Sequence, residues 1–155
     1  MVINPEDIIY NQENDYSCGA VCLRWIYDKF GFEYKMSQSE MESITKTYSE
    51  GCTHKSLIAA CDFLNIDTYV ENNLDRVAEF LLNENTYAIV GWTPWGEHYS
   101  VIESVTKDFV VLNDPASPSC ISVYSRKEFE KVWFDSENSE RKERWCLIIN
   151  PLKTK

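Results

Sequence analysis

Cys18, His98 and Asp114 are a nucleophile, a base and a carboxylate, and a chain that brings them together could carry out acyl transfer. Cys18 lies in the stretch QENDYSCGA, residues 12–20, and from it onward Val21, Cys22, Trp25, Ile26 and Phe30 recur at helical spacing. The sulfur would therefore stand near a helix N-terminus, where unpaired N–H groups and the macrodipole favour thiolate. By itself the position is equally that of a small buried hydrophobe. The chain has only two histidines, so the search for a base is short. His98 opens an extended run after the turn-rich residues 93–97 and stands at a strand mouth; His54 falls in a first helical turn, where the dipole disfavours imidazolium. Asp114, before Pro115 at the end of another extended run, could accept the other ring N–H of His98. Gln12 could point its side-chain NH₂, with the backbone N–H of Cys18, at a tetrahedral oxyanion. Trp92 and Trp95, in GWTPWGEH, could wall a narrow substrate cleft, although a tryptophan is more often buried in a core.

The elements that must position these residues follow from caps and periodicity. The first helix runs from Cys18 to about residue 30 and stops at Gly31. Ser37 with Glu40 reads as a capping box for a helix carrying Met41, Ile44 and Tyr48. Thr53 caps a third helix with Leu57, Ile58, Cys61 and Leu64 on its apolar face, and a short strand is expected over residues 66–70. Asn72 and Asn73 can cap a fourth helix bearing Leu74, Val77, Phe80 and Leu81. The period then changes. Residues 86–92, 98–105 and 109–112 are β-branched and aromatic runs between turn residues, the pattern of an antiparallel meander. A strand over 121–124, a second capping box at Ser125 and Glu128, a charged connection over 135–144 and a closing strand over 145–149 complete the chain. The expectation is an α+β fold, an N-terminal helical half packed on a C-terminal antiparallel sheet, with nucleophile and base facing each other across the crevice.

At 155 residues the chain fits one domain spanning 1–155. A formal charge of −10, from 25 acidic and 15 basic residues, excludes a general affinity for nucleic acid or anionic lipid. No run is long and apolar enough for a membrane span and the first ten residues carry no secretory signal, so a cytoplasmic protein is expected. Its six cysteines are accordingly read as thiols. Cys18, Cys22, Cys52 and His54 could in principle form a zinc set, but neither pair has knuckle spacing; no metal and no cofactor is expected.

In combination these residues acquire a further meaning. Gln12 with Cys18 six positions on, then HYSVIESVTKDFVVLNDP, resembles the bacteriocin-processing cysteine peptidases, papain-like enzymes that cut leader peptides after a double glycine. SEGCTHKSLIAACDFLNIDTY is similar to the E-G-T-T-x-x-x-L segment of that family, and RKEFEKVW to its E-x-F-x-x-x-W. The resemblance implies a papain-like fold with Cys18 as nucleophile, His98 as general base and acid, Asp114 as the residue that orients it and Gln12 as oxyanion-hole donor. It also implies a peptide substrate, and a chain that either stands alone or acts with a separate export transporter. The chain departs from the family at Ser17, where aspartate is usual, at Cys52, where threonine is expected, and in the tryptophan-bearing loop. The same constellation suits an acyltransferase or amide hydrolase, a guanylyl-cyclase-like enzyme, or a peptide-binding module without catalysis.

Overall fold

The computed structural model describes residues 7–117 and 121–151; Cys120 lies outside them. Its elements are α1 (Cys18–Lys29), α2 (Gln38–Ile44), α3 (His54–Phe63), β1 (Thr68–Glu71), α4 (Leu74–Leu81), β2 (Tyr87–Trp92), β3 (His98–Val105), β4 (Phe109–Asn113), β5 (Ile121–Ser125), α5 (Arg126–Val132), β6 (Phe134–Glu137), β7 (Glu140–Glu143) and β8 (Cys146–Ile149). Among the described residues no helix is long and apolar enough to cross a membrane.

Local chemistry sets the helix starts. Ser37 with Glu40, Thr53 with Ser56 and Ser125 with Glu128 close reciprocal capping boxes on α2, α3 and α5, and Asn73 accepts from the N–H groups of Asp75 and Arg76 at α4. Each such cap stabilises its helix by about 1 kcal/mol. The start of α1 is different. Its N-cap Ser17 makes no side-chain cap, so that side chain takes up none of the first-turn N–H groups that Cys18 begins. At the other end α1 stops at Gly31, with φ of +73°. Tyr48 lies beyond the end of α2 and is exposed.

Six strands form one antiparallel sheet in the order β1-β8-β2-β3-β4-β5. Alternation assigns its faces. Ile89, Val101, Leu147 and Ile149 point to α1, α2 and α3, whereas Ala88, Val90, Trp92, Ile102, Cys146 and Ile148 point to a second core with Val77 of α4 and Phe129 of α5. The α+β expectation is met in its elements and amended in its layering: both sheet faces are buried, because α4 and α5 cover the face that a simple two-layer arrangement would leave to solvent.

Residues 135–144, expected as a charged connection, instead form the β6–β7 hairpin, which reverses at Asn138 and Ser139 with φ of 53° and 67°. Two consecutive left-handed residues match the right-handed twist of a hairpin, and asparagine tolerates them well. The five described cysteines, Cys18, Cys22, Cys52, Cys61 and Cys146, are free thiols.

Candidate active site

The first residue of α1, the first residue of β3 and the residue after β4 meet at one end of the sheet. Cys18, His98 and Asp114 are all buried there, with 6%, 6% and 3% of their surfaces exposed. Strands β3 and β4 are hydrogen-bonded neighbours, which brings His98 Nε2 to 2.5 Å from Asp114 Oδ1. The same carboxylate oxygen accepts from the N–H of Ala116 at 2.9 Å, so the backbone fixes it. With Nε2 committed to Asp114, the other ring nitrogen is the one left for the Cys18 sulfur, which lines the same cavity as His98.

Burial draws His98 down, but its hydrogen bonds to Asp114 and Cys18 and their charges outweigh it and push the imidazole up to about 9. At neutral pH His98 is therefore the protonated partner of the sulfur. Burial, then the neighbouring Cys18, pushes Cys52 up to about 12; burial does the same to Cys61 and raises Cys22 and Cys146 as well.

The N-terminal segment is laced to the same end of the sheet. Asn113, wholly buried, accepts from the N–H of Ile9 and donates to the carbonyl of Asp7, and the N–H of Gln12 donates to the carbonyl of Pro115 at 2.9 Å. Gln12 is thus tethered beside the Asp114 loop. Its Nε2 donates to the carbonyl of Asn14 at 2.6 Å while its Oε1 is buried without a partner among the described residues. The oxyanion role expected of Gln12 requires that amide to turn from Asn14.

A cavity of about 770 Å³ opens over Cys18 and His98 and continues along Tyr16, Gly51, Cys52 and Tyr99. Gly19 lets its wall close in: a Cβ there would stand 2.5 Å from Cys52 Sγ and 3.0 Å from the Tyr99 ring. Tyr99 in turn donates to the carbonyl of Cys52 at 3.1 Å, joining β3 to the loop before α3.

The two tryptophans separate. Trp92 is 1% exposed, packs on Phe129 and donates from Nε1 to Ser100 Oγ at 3.0 Å. A substrate-facing role for Trp92 is therefore corrected to a core role: its β2 position points into the second core, behind His98. Trp95 is 69% exposed with its ring centroid 5.1 Å from that of His98, outside the cavity lining.

One constellation escaped the sequence reading. His54 Nε2 lies 2.5 Å from Asp135 Oδ2, both buried, and the His54 ring stacks on Trp145 at 3.9 Å between centroids. Gly91 makes room for it, since a Cβ at that position would come within 2.4 Å of Asp135 Oδ2. The pair ties α3 to β6. A tertiary ion pair across 81 residues leaves no local pattern; the one available signal was Asn138-Ser139 as a two-residue turn. Among the described residues no group of three or more histidine, cysteine or acidic side chains is placed to hold a metal ion.

Comparisons with known proteins bear on the fold and the family. The pediocin PA-1 transport/processing ATP-binding protein PedD of Pediococcus acidilactici is 26% identical over 122 residues, 78% of this chain and 16% of that protein; the chain thus spans about a sixth of that relative's length. The peptidase domain of Streptococcus ComA, a bifunctional ABC transporter of a quorum-sensing pathway, superposes with a TM-score of 0.71 at 16% identity, covering 94% of this chain and 98% of the domain. A double-glycine-motif protease from an AMS/PCAT transporter, solved with its leader peptide, gives 0.70 at 15% identity over 93% and 91%. A C39-like peptidase from Bacillus anthracis gives 0.71 at 11% identity over 97% and 96%. These likenesses establish the papain-like fold. Residues 7–136 match the Peptidase C39 family, and the chain belongs to that family as a cysteine peptidase.

Proposed function

We propose that the protein cleaves a leader peptide from its substrate after a double glycine, with Cys18 as nucleophile, His98 as acid and base, Asp114 orienting His98 and Gln12 completing the oxyanion hole. The observation that carries this reading is the position of His98 between Asp114 and Cys18 at the inner end of an open cleft. The thiolate attacks the carbonyl carbon of the scissile bond; the first-turn N–H of Cys18 and the turned Gln12 amide receive the oxyanion. Collapse expels the amine, which takes its proton from His98, and leaves a thioester. Water then adds to the thioester, giving a proton to His98; collapse expels the Cys18 thiolate beside the protonated His98, and the product acid loses its proton to solvent and departs as carboxylate. Gly19 lets Cys52 and Tyr99 close in on the cleft beside Cys18, and a narrow cleft favours glycine beside the bond that is cut. The likeness to a transport/processing protein supports an ATP-driven exporter as the partner that takes up the product.

The test is cleavage of synthetic leader-bearing peptides followed by mass spectrometry. A single cut after Gly-Gly, lost when the pair is replaced by Val-Val and lost in Cys18→Ala, is the expected result; a cut elsewhere, or one that survives Cys18→Ala, overturns it.

A further inference from the structure

We propose that an acidic wall of this cleft, formed by Glu97, Asp135 and Glu137, selects peptides that carry a lysine or arginine within a few residues of the bond that is cut. This rests on the peptidase reading above and names the chemistry of its substrate. The three carboxylates line the same cavity as Cys18 and His98, and Glu97 directly precedes His98 in the chain. With Asp15 and Glu50 they make five acids in that lining, against Lys46 as its one lysine or arginine.

Asp135 supplies the independent sign of a missing cation. It is only 6% exposed; Oδ2 is committed to His54, yet Oδ1 is buried with no hydrogen-bond partner among the described residues. An unpaired buried carboxylate oxygen is costly, and a donor arriving with the substrate relieves that cost. Desolvation, together with the nearby charges of Glu97 and Glu137 and against the pull of His54, raises the Asp135 carboxyl, so three like charges crowd one wall. The neighbouring acids are already held in place. Glu137 accepts from the N–H of His54 at 2.5 Å, and Glu97 accepts from the Ser136 hydroxyl.

The spacing also chooses the cation. Among the described residues the acids are not gathered as metal ligands, so a compact ion is not the occupant. An ammonium or guanidinium on a long stem, with three or five N–H donors, can instead reach several carboxylates from a backbone lying over Cys18.

Two measurements test this in a Cys52→Ala chain, so that Cys18 is the thiol exposed to reagent in the cleft. The first compares modification of Cys18 by cationic aminoethyl and anionic sulfonatoethyl methanethiosulfonate, normalised to the same ratio on free cysteine. The expected preference for the cation is about tenfold at low salt, collapsing towards unity in Glu97→Gln with Glu137→Gln and on raising salt. Asp135 is left intact because His54 depends on it. The second compares kcat/KM for double-glycine peptides with lysine, glutamine or glutamate near the cut: about tenfold in favour of lysine over glutamine, with Glu97→Lys reversing the order towards glutamate. No cation preference in the reagents and equal cleavage of both peptides overturn the acidic wall and leave the peptidase standing. A cation preference with no peptide cut leaves the wall standing and removes the peptidase reading instead.

Discussion

The sulfur of Cys52 fills the place a Cβ at position 19 would need, 2.5 Å from it, so the residue after the nucleophile and the opposite wall of the cleft are in direct steric contact. Gly19→Ala must push that wall and Tyr99 outward. Overpacking of this kind costs about 1–3 kcal/mol, and displacing the wall by about 1 Å costs about 100-fold in kcat/KM. Cys52→Ala in the same chain removes the nearer clash; denaturant melts and peptide kinetics should show more than half of both losses recovered.

The pH dependence follows from His98. Its pKa is raised from 6.5 to about 9, so the stability it contributes is complete below pH 6.5 and is lost as pH rises through about 9. Wild type should therefore lose more stability than His98→Gln across that window, measured by urea melts at stepped pH. The imidazolium–thiolate pair has the same upper limit, so kcat/KM should fall above about pH 9. Asp114→Asn removes the charge while its amide can present either an oxygen or an NH₂ to Nε2, and should move that limb to lower pH while lowering kcat by up to about 10⁴-fold.

Gln12→Ala isolates the proposed oxyanion donor. With the backbone tether to Pro115 intact, kcat should fall about 10²–10³-fold and KM change little. Gln12→Glu, which offers no donor when ionised, should be no better; a fall in KM-dependent binding alone would assign Gln12 to substrate docking.

The His54–Asp135 pair should matter for stability before it matters for chemistry. His54→Ala strands a buried carboxylate and empties the face of Trp145, a loss of about 3–5 kcal/mol in urea unfolding. His54→Ala with Asp135→Asn should lose less than His54→Ala alone, because the charge left behind is gone. Their coupling in a double-mutant cycle measures the pair.

Much of the scaffold is legible because its signals are local. Ser37, Thr53, Asn73 and Ser125 announce helices by hydrogen bonds they make within three residues, and β2 to β4 announce themselves by alternation and intervening turns. The meeting of His98 with Asp114 is legible for a related reason: consecutive strands of a meander pair, so residues at corresponding ends come close. What stays hidden is decided between distant segments. Nothing near Asp135 shows that it is buried against His54, and its run of charged neighbours reads as surface. Trp92 and Trp95 share one short loop motif, yet strand parity sends Trp92 into the core while Trp95 stays outside. Asn113, which pins Asp7 and Ile9, looks like an ordinary turn residue beside Asp114. The covering of the second sheet face by α4 and α5 likewise depends on where β8 enters the sheet.

That entry point has a consequence for biosynthesis. Strand β8, the last in sequence order among the described residues, sits inside the sheet between β1 and β2. Until residues 146–149 have left the ribosome, β1 has no partner and β2 has a bare edge, even though Cys18, His98 and Asp114 have all been translated. The finished sheet must wait for its final strand, so a nascent chain carries its catalytic side chains well before it has the frame to use them. Pairing of β1, and closure of the β2 edge, thus follow the translation of β8 rather than that of the three site residues.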